Sequence, residues 1–329
     1  MTEKLGNILS KYYVASLTSS IKNILVTGGA GFIGSHLVER LIADGVDVTV
    51  LDNFSTGRTE NLASLSANRR LRLVKGDIRD KDTAYDAVKD VKAVFHLAAI
   101  TSVPFSVEHP KEAFKVNIDG TRSLLEACLR AGVERFVYAS SCAVYGEPKY
   151  MPIDEVCPLS PVSPYAESKL KAEELCRSFC ENYGLETVVL RPFNVYGPRQ
   201  RNDQYGGVIA RFIERLRFGK PPVIYGDGTQ SRDFIYVEDA VKAFTLALNN
   251  KNAVGGTFNV ASGVPTLIDG LANILIELFG AEGLKPEYAD ARQGDIKHSC
   301  ADIREAKQHL GFEPRVSLKE GLLTLIGSY

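Results

Sequence analysis

The sequence predicts an α/β fold, a doubly wound parallel (Rossmann) sheet with a smaller C-terminal α/β lobe. Three observations predict it. Short β-branched runs alternate with segments of helical period from Ile21 to Arg191, the pattern of strands covered on both faces by crossover helices. The first run opens into Thr27-Gly28-Gly-Ala-Gly31-Phe32-Ile33-Gly34, and helical periodicity resumes at Phe32. After Pro192 the prolines and glycines become frequent, which marks loops and short elements closing over the strand ends.

In chain order, Leu5, Ile8, Leu9, Tyr12 and Tyr13 repeat at helical spacing within residues 1–20. They predict either a short docked amphipathic helix or a frayed tail. Strands are expected at 24–27, 48–52, 72–75, 93–97, 135–140 and 187–191, with helices between them, and a further strand and helix at 254–261 and 267–278. The division that follows is an N-terminal extension (1–20), a dinucleotide-binding domain (21–190, rejoined by about 234–260) and a substrate lobe (191–233 and 261–329).

Each glycine of the first turn has a physical task. One allows the backbone to reverse, one lets main-chain N–H groups approach a phosphate, and one lets helix and strand pack closely. The helix start supplies the anion site. Asp52 ends the second strand, 18 residues beyond Gly34, near the roughly 20 expected of a carboxylate that grips an adenosine ribose. In open parallel sheets ligands bind beyond the carboxyl ends of the strands. There the third strand runs into Gly76-Asp77-Ile78, the fourth into Leu97-Ala98-Ala99, and the fifth into Ser140-Ser141-Cys142. Ala98 and Ala99 fit either a cofactor wall or the packed start of a helix.

Pro164-Tyr165-Ala-Glu-Ser-Lys169 opens a helix with proline in its first turn. Tyr165 and Lys169 are four residues apart and share a face. An ammonium near a phenol favours the phenolate, so the pair predicts a tyrosine base working near neutral pH. Ser141 is placed to hydrogen-bond the same substrate hydroxyl.

Bulk composition is that of an ordinary globular protein, with 45% hydrophobic and 24% charged residues and a formal net charge of −1. No nucleic-acid or membrane partner is expected from this charge, and the apolar run at 93–100 is too short to span a bilayer. Residues 1–20 lack the apolar core and cleavage site of a signal peptide. Cys128, Cys142, Cys157, Cys176, Cys180 and Cys300 form no Cys-x-x-Cys and lack nearby histidines. They are expected to pack rather than bind metal. A cytoplasmic, metal-free protein is the expectation.

The glycine turn, the Ser141 strand end and Tyr165-x-x-x-Lys169 resemble the extended short-chain dehydrogenase/reductases, over residues 21–326. Asn117-x-x-Gly120-Thr121, Arg191-Pro-Phe-Asn194-Val-Tyr-Gly197 and Gly226-Asp-Gly-Thr-Gln-Ser-Arg232-Asp-Phe are similar to the subgroup acting on nucleotide sugars, and most to the UDP-hexose 4-epimerases. The resemblance implies NAD held by Gly28, Gly31, Phe32, Ile33, Gly34, Asp52, Asn53, Asp77 and Ile78. It adds Leu97, Ala98, Ala99, Asn117, Tyr165 and Lys169 to that set. It implies Asn194, Arg232, Arg292 and Asp295 on UDP, the two arginines on its diphosphate, where a planar fork matches phosphate oxygens. Gln200, Tyr225, Ser141 and Ser299 complete the implied substrate set.

The implied mechanism has three stages. Tyr165 takes the proton of the sugar 4-hydroxyl as C4 gives hydride to the nicotinamide, the 4-keto sugar turns over, and hydride returns to its other face. Relatives that eliminate water carry Asp-Glu where this chain has Cys142-Ala143, which argues against a dehydratase. A decarboxylase, a uronic-acid epimerase and a cofactor-binding regulator are the remaining alternatives. Ser299 matches a position that is tyrosine in relatives restricted to glucose and galactose and small in those that also take N-acetylated sugars. The resemblance also implies a homodimer paired through two helices per subunit. Ala172, Leu175, Cys176, Phe179 and Cys180 form an apolar stripe on one of them, with 123–129 on the other; the same stripes fit helices facing their own sheet.

Overall fold

The computed structural model describes residues 21–200, 207–291 and 296–329. The expected helix within 1–20 lies outside them. From Asn23 the chain runs β1 (Asn23–Thr27), α1 (Phe32–Ala43), β2 (Asp47–Asp52), β3 (Leu71–Lys75), α2 (Lys81–Val88) and β4 (Ala93–His96). It continues through α3 (Val103–Glu108), α4 (Pro110–Phe114), α5 (Thr121–Ala131), β5 (Arg135–Ala139), α6 (Pro164–Tyr183) and β6 (Glu186–Pro192). The remainder is β7 (Asn194–Tyr196), α7 (Val208–Arg217), β8 (Val223–Tyr225), β9 (Ser231–Tyr236), α8 (Val237–Asn249), β10 (Thr257–Val260), β11 (Pro265–Leu267), α9 (Ile268–Leu278), β12 (Glu287–Ala289) and α10 (Leu318–Gly327). The expected strands are all present, shifted at their ends by one to three residues.

The main sheet has seven parallel strands in the order β10-β6-β5-β4-β1-β2-β3. Its strands are apolar on both sides because both sides are covered. Ile24, Val26, Val48 and Val50 face a layer containing Leu37, Leu41 and Phe244 of α1 and α8. Leu25, Leu51, Val94 and Phe136 face a layer containing Ala84, Leu124 and Cys176 of α2, α5 and α6. The order reverses between β1 and β4, so a crevice opens there at the carboxyl ends, the usual ligand position in such sheets.

After β6 the chain builds a second core. β9 lies between β11, antiparallel to it, and β7, parallel to it. Phe212, Ile224, Phe234, Leu271 and Leu322 pack around these strands.

Most of each apolar stripe considered for a subunit interface faces inward, while Leu175, Cys180 and Leu129 remain partly exposed. Ala172, Cys176 and Phe179 join Leu124, Leu125 and Cys128 in the core beneath the sheet. Periodicity identified an apolar face correctly but could not say which surface covers it.

Candidate active site

At the switch point, β1 turns through Gly28 with φ +68°, and a Cβ there would lie 2.7 Å from the Ala98 nitrogen. Only a residue without a side chain lets the two loops touch in this way. Gly34 is equally constrained, since a Cβ would lie 2.2 Å from the Gly28 carbonyl oxygen. Gly31 is the N-cap of α1 and no side chain caps it, nor is there an acidic residue in the first turn. The N–H groups of Phe32, Ile33 and Gly34 therefore start the helix as a site for a phosphate.

Asp52 is buried at the end of β2. Its Oδ2 accepts from Ala30 N at 3.0 Å and its Oδ1 from Phe54 N at 2.8 Å. Burial pushes its pKa up, and these two donors oppose the shift. Gly57 closes on the carboxylate so tightly that a Cβ would meet both oxygens at 2.8 Å. Beyond β3, Asp77 is paired with Arg79 at 2.8 Å and accepts from Asn53 Nδ2 at 3.3 Å. The Arg79 bonds hold its pKa down at about 2. Ile78 is buried, against Gly120.

Leu97, Ala98 and Ala99 follow β4 as partly buried backbone. Asn117 sits behind them. Its Oδ1 accepts from Ile100 N at 2.8 Å, and its Nδ2 donates to Ile100 O at 3.0 Å and to Ser168 Oγ at 2.8 Å. The amide ties this loop to α6.

His96, which the sequence pattern did not single out, anchors the same corner. Thr121 donates its hydroxyl to Asn117 O at 2.6 Å, so it accepts from His96 Nε2–H at 2.9 Å. The other ring nitrogen then accepts from the Thr27 hydroxyl at 2.7 Å, and Thr27 Oγ1 accepts from Ala98 N at 3.3 Å. Burial holds the imidazole neutral, with its pKa lowered to about 3. A neutral ring is the form this donor–acceptor chain needs.

Ser163 caps the N-terminus of α6, and Pro164 fills its first position. This start places Tyr165, 9% exposed, against Ser141 after β5. The Ser141 hydroxyl lies close enough to the Tyr165 phenol to draw its pKa down, and Ser141 Oγ accepts from Ala143 N at 3.2 Å. Lys169 is buried one turn on, with its Nζ 4.6 Å from the Tyr138 ring centroid. The expectation that Lys169 lowers the Tyr165 pKa is not what the chain alone displays. Burial pushes Tyr165 up to about 12, opposed only by Ser141. Burial likewise brings Lys169 down to about 8, with Glu173 opposing. Desolvation is the largest influence on both groups.

Beneath lies a second network absent from the sequence expectations. Glu173 accepts from the Ser140 hydroxyl and pairs with Arg191 at 2.7 Å, both residues being buried. Arg191 also donates to Tyr145 Oη at 2.9 Å, which donates on to Asn259 Oδ1 at 2.7 Å.

The residues that the resemblance implies for the substrate lie on and around β7 and β9. Asn194 Nδ2 donates to Asp233 O at 3.0 Å, and Gln200 Nε2 to Val195 O at 3.1 Å. Arg232 Nη1 donates to Ser231 O at 2.8 Å. Cys142, with its thiol raised to about 12 by burial, feels the charges of Arg232 and Asp233, which joins this side to Ser141. Ser299 is buried, its N donating to Ser231 O at 3.1 Å. Tyr225 ends β8, 37% exposed. Arg292 and Asp295 lie outside the described residues.

Three comparisons accord with this geometry. The model of the NAD dependent epimerase/dehydratase family matches residues 24–261. A putative UDP-glucose 4-epimerase of Methanocaldococcus jannaschii is 42% identical over 305 residues, 92% of this chain and 97% of that one. Among solved structures, UDP-N-acetylglucosamine 4-epimerase from Methanobrevibacter ruminantium, in complex with UDP-N-acetylmuramic acid, has a TM-score of 0.90 at 42% identity, covering 94% of this chain and 98% of that one. UDP-glucose 4-epimerase of Thermotoga maritima with UDP-glucose has a TM-score of 0.88 at 41% identity, covering 93% and 98%. The glycine cradle, the uncapped helix start and Asp52 fit the dinucleotide, and the cofactor is NAD. The chain is a member of the NAD dependent epimerase/dehydratase family, within the extended short-chain dehydrogenase/reductases.

Proposed function

We propose that this protein is a 4-epimerase of UDP-sugars that interconverts UDP-GlcNAc and UDP-GalNAc, and UDP-Glc and UDP-Gal as well. The observation that carries the reading is Tyr165, buried at the start of α6 with Lys169 one turn on over the Tyr138 ring and Ser141 at the end of β5, on the same carboxyl edge of the sheet as the glycine cradle. The relatives named for UDP-glucose and for UDP-N-acetylglucosamine support the substrate class.

NAD held by Gly28, Gly31, Gly34, Asp52 and Lys169 supplies a hydride acceptor and donor for C4. The chain supplies the rest. Tyr165 takes the proton of the sugar 4-hydroxyl and later returns it, while Ser141 holds both oxygens in line. Lys169 is the cation on the same helix that favours the phenolate once the site is filled. Asn194 and Arg232 anchor the UDP moiety while the sugar turns. Ser299, small and buried, leaves room for the acetamido group that a tyrosine at this position would displace.

The same reading takes residues 21–190, with about 234–260, as the NAD-binding unit and residues 191–233 and 261–329 as the sugar-nucleotide lobe. It takes the protein as cytoplasmic; among the described residues no helix is long and apolar enough to cross a membrane. The homodimer rests on the family resemblance, since most of both stripes faces inward, and a monomeric mass by light scattering would reject it.

The deciding experiment incubates the protein with the four UDP-sugars and UDP-glucuronate, without added cofactor, and resolves the products. Interconversion within both hexose pairs is expected. No reaction with either acetamido sugar would refute the pocket reading, and loss of carbon dioxide from UDP-glucuronate would turn the assignment to a decarboxylase.

A further inference from the structure

The proposed selectivity depends on where Ser299 lies, and Ser299 belongs to a ribbon whose position is set by two neighbours. On one side Ile153 N donates to Cys300 O at 2.8 Å, and Asp302 N to Ile153 O at 2.8 Å. On the other, Ser231 N donates to Lys297 O at 2.9 Å and Ser299 N to Ser231 O at 3.1 Å. Two residues past Ser299, Ala301 N donates to Asp233 Oδ2 at 3.2 Å.

Asp233 is fully buried in β9, the middle strand of its sheet. Its carboxylate receives four donors, two on each oxygen. Oδ2 takes Ala301 N and, at 3.0 Å, Gly263 N. Oδ1 takes Ser262 N at 2.8 Å and Ser262 Oγ at 2.6 Å. All four donors are neutral. Asp233 also offers its own carbonyl to Asn194 Nδ2 at 3.0 Å. The carboxylate thus holds the ribbon that bears Ser299 and the turn after β10, while the main-chain carbonyl of the same residue holds the Asn194 side chain, so a change of side chain reaches Asn194 through displacement of β9.

Only an ionised carboxylate presents acceptors alone on both oxygens; an amide in its place turns an N–H pair toward two N–H donors. Burying such a group is costly unless every lone pair is used, and here the donors come from segments of the pocket rather than from a compensating cation.

We infer that Asp233 is the positioning residue of the sugar end of the pocket, setting Ser299 and Asn194 in place and so controlling UDP-sugar affinity and the discrimination between acetamido and plain hexoses. The inference rests on the epimerase reading for its sugars, but not for its effect on UDP.

The test compares wild type, Asp233→Asn and the milder Ser262→Ala, which keeps the carboxylate. KM and kcat are measured for both sugar classes, UDP affinity by calorimetry, bound NAD after denaturation, and the thermal midpoint. Asp233→Asn is expected to weaken UDP and raise KM by about tenfold, as loss of a buried hydrogen-bond partner does. It should alter the ratio of kcat/KM between the two classes and leave NAD content unchanged. Ser262→Ala should move the same quantities in the same direction by less.

A lower thermal midpoint with unchanged UDP affinity and unchanged ratio would overturn the proposal, since a purely structural role predicts that result. If Asp233→Asn fails to fold, unchanged values in Ser262→Ala overturn it instead. If the wild type ignores the acetamido sugars, the sugar assignment fails, while UDP affinity still decides the role of Asp233.

Discussion

Lys169 Nζ lies 4.6 Å from the centroid of the Tyr138 ring, so the first partner of the site's buried cation is an aromatic face at the end of β5. An ammonium over such a face is held by the ring quadrupole, more strongly when water is excluded. Among the described residues the buried Tyr138 hydroxyl has no hydrogen-bond partner, and it is the ring that faces Lys169.

From this pair follows a pH dependence of defined sign. The Lys169 pKa of about 8 lies below the ordinary 10.5 because of burial. Between those values the unfolded chain binds more protons, so stability from this group rises with pH across that window and the penalty is full below about 8. Lys169→Met should therefore raise the thermal midpoint of NAD-stripped protein at pH 7 more than at pH 10.5, while abolishing turnover. Tyr138→Leu should move the alkaline limb of kcat to lower pH, and Tyr138→Phe should leave it in place. An identical midpoint change at both pH values would refute the assignment.

Tyr165→Phe retains the ring but removes the proton acceptor. Turnover should fall by about 10² or more, the usual scale of a positioned base, with NAD content and far-ultraviolet circular dichroism unaltered. Near-normal activity would assign the proton step to another residue.

Ser299→Tyr fills the sugar wall. Turnover of UDP-GlcNAc and UDP-GalNAc should be abolished and that of UDP-Glc and UDP-Gal spared, because overlap excludes far more strongly than spare volume. Equal loss in both classes, measured as kcat/KM, would show that Ser299 does not discriminate between them.

Glu173 and Arg191 are a buried pair beneath Ser140. Arg191→Leu leaves the carboxylate unpaired, and breaking a buried pair in this way costs about 3–5 kcal/mol. Urea titration should register that loss. A change within experimental error would mean that Ser140 and solvent compensate.

Asp52, already ringed by Ala30 N, Phe54 N and the close approach of Gly57, offers acceptors to a ribose and repels a 2′-phosphate. Denatured protein should release NAD or NADH, identified by mass. Release of NADP would refute this role of Asp52.

Features that arise among residues close in the chain are legible in the sequence. The glycine turn, the alternation of strands and helices, and the shared face of Tyr165 and Lys169 each depend on local geometry, so spacing reveals them. Tertiary structure decided the rest. His96 meets Thr27 across 69 residues, Asp233 meets Ala301 across 68, and Arg191 meets Tyr145 across 46. Such pairings depend on which strands become neighbours, which no local pattern encodes. The raised Tyr165 pKa has the same origin, because four-residue spacing places a cation nearby but only the packed site sets how far water is excluded. The stripe on α6 has one apolar face whichever surface covers it, and it was the order of β4, β5 and β6 that turned it inward.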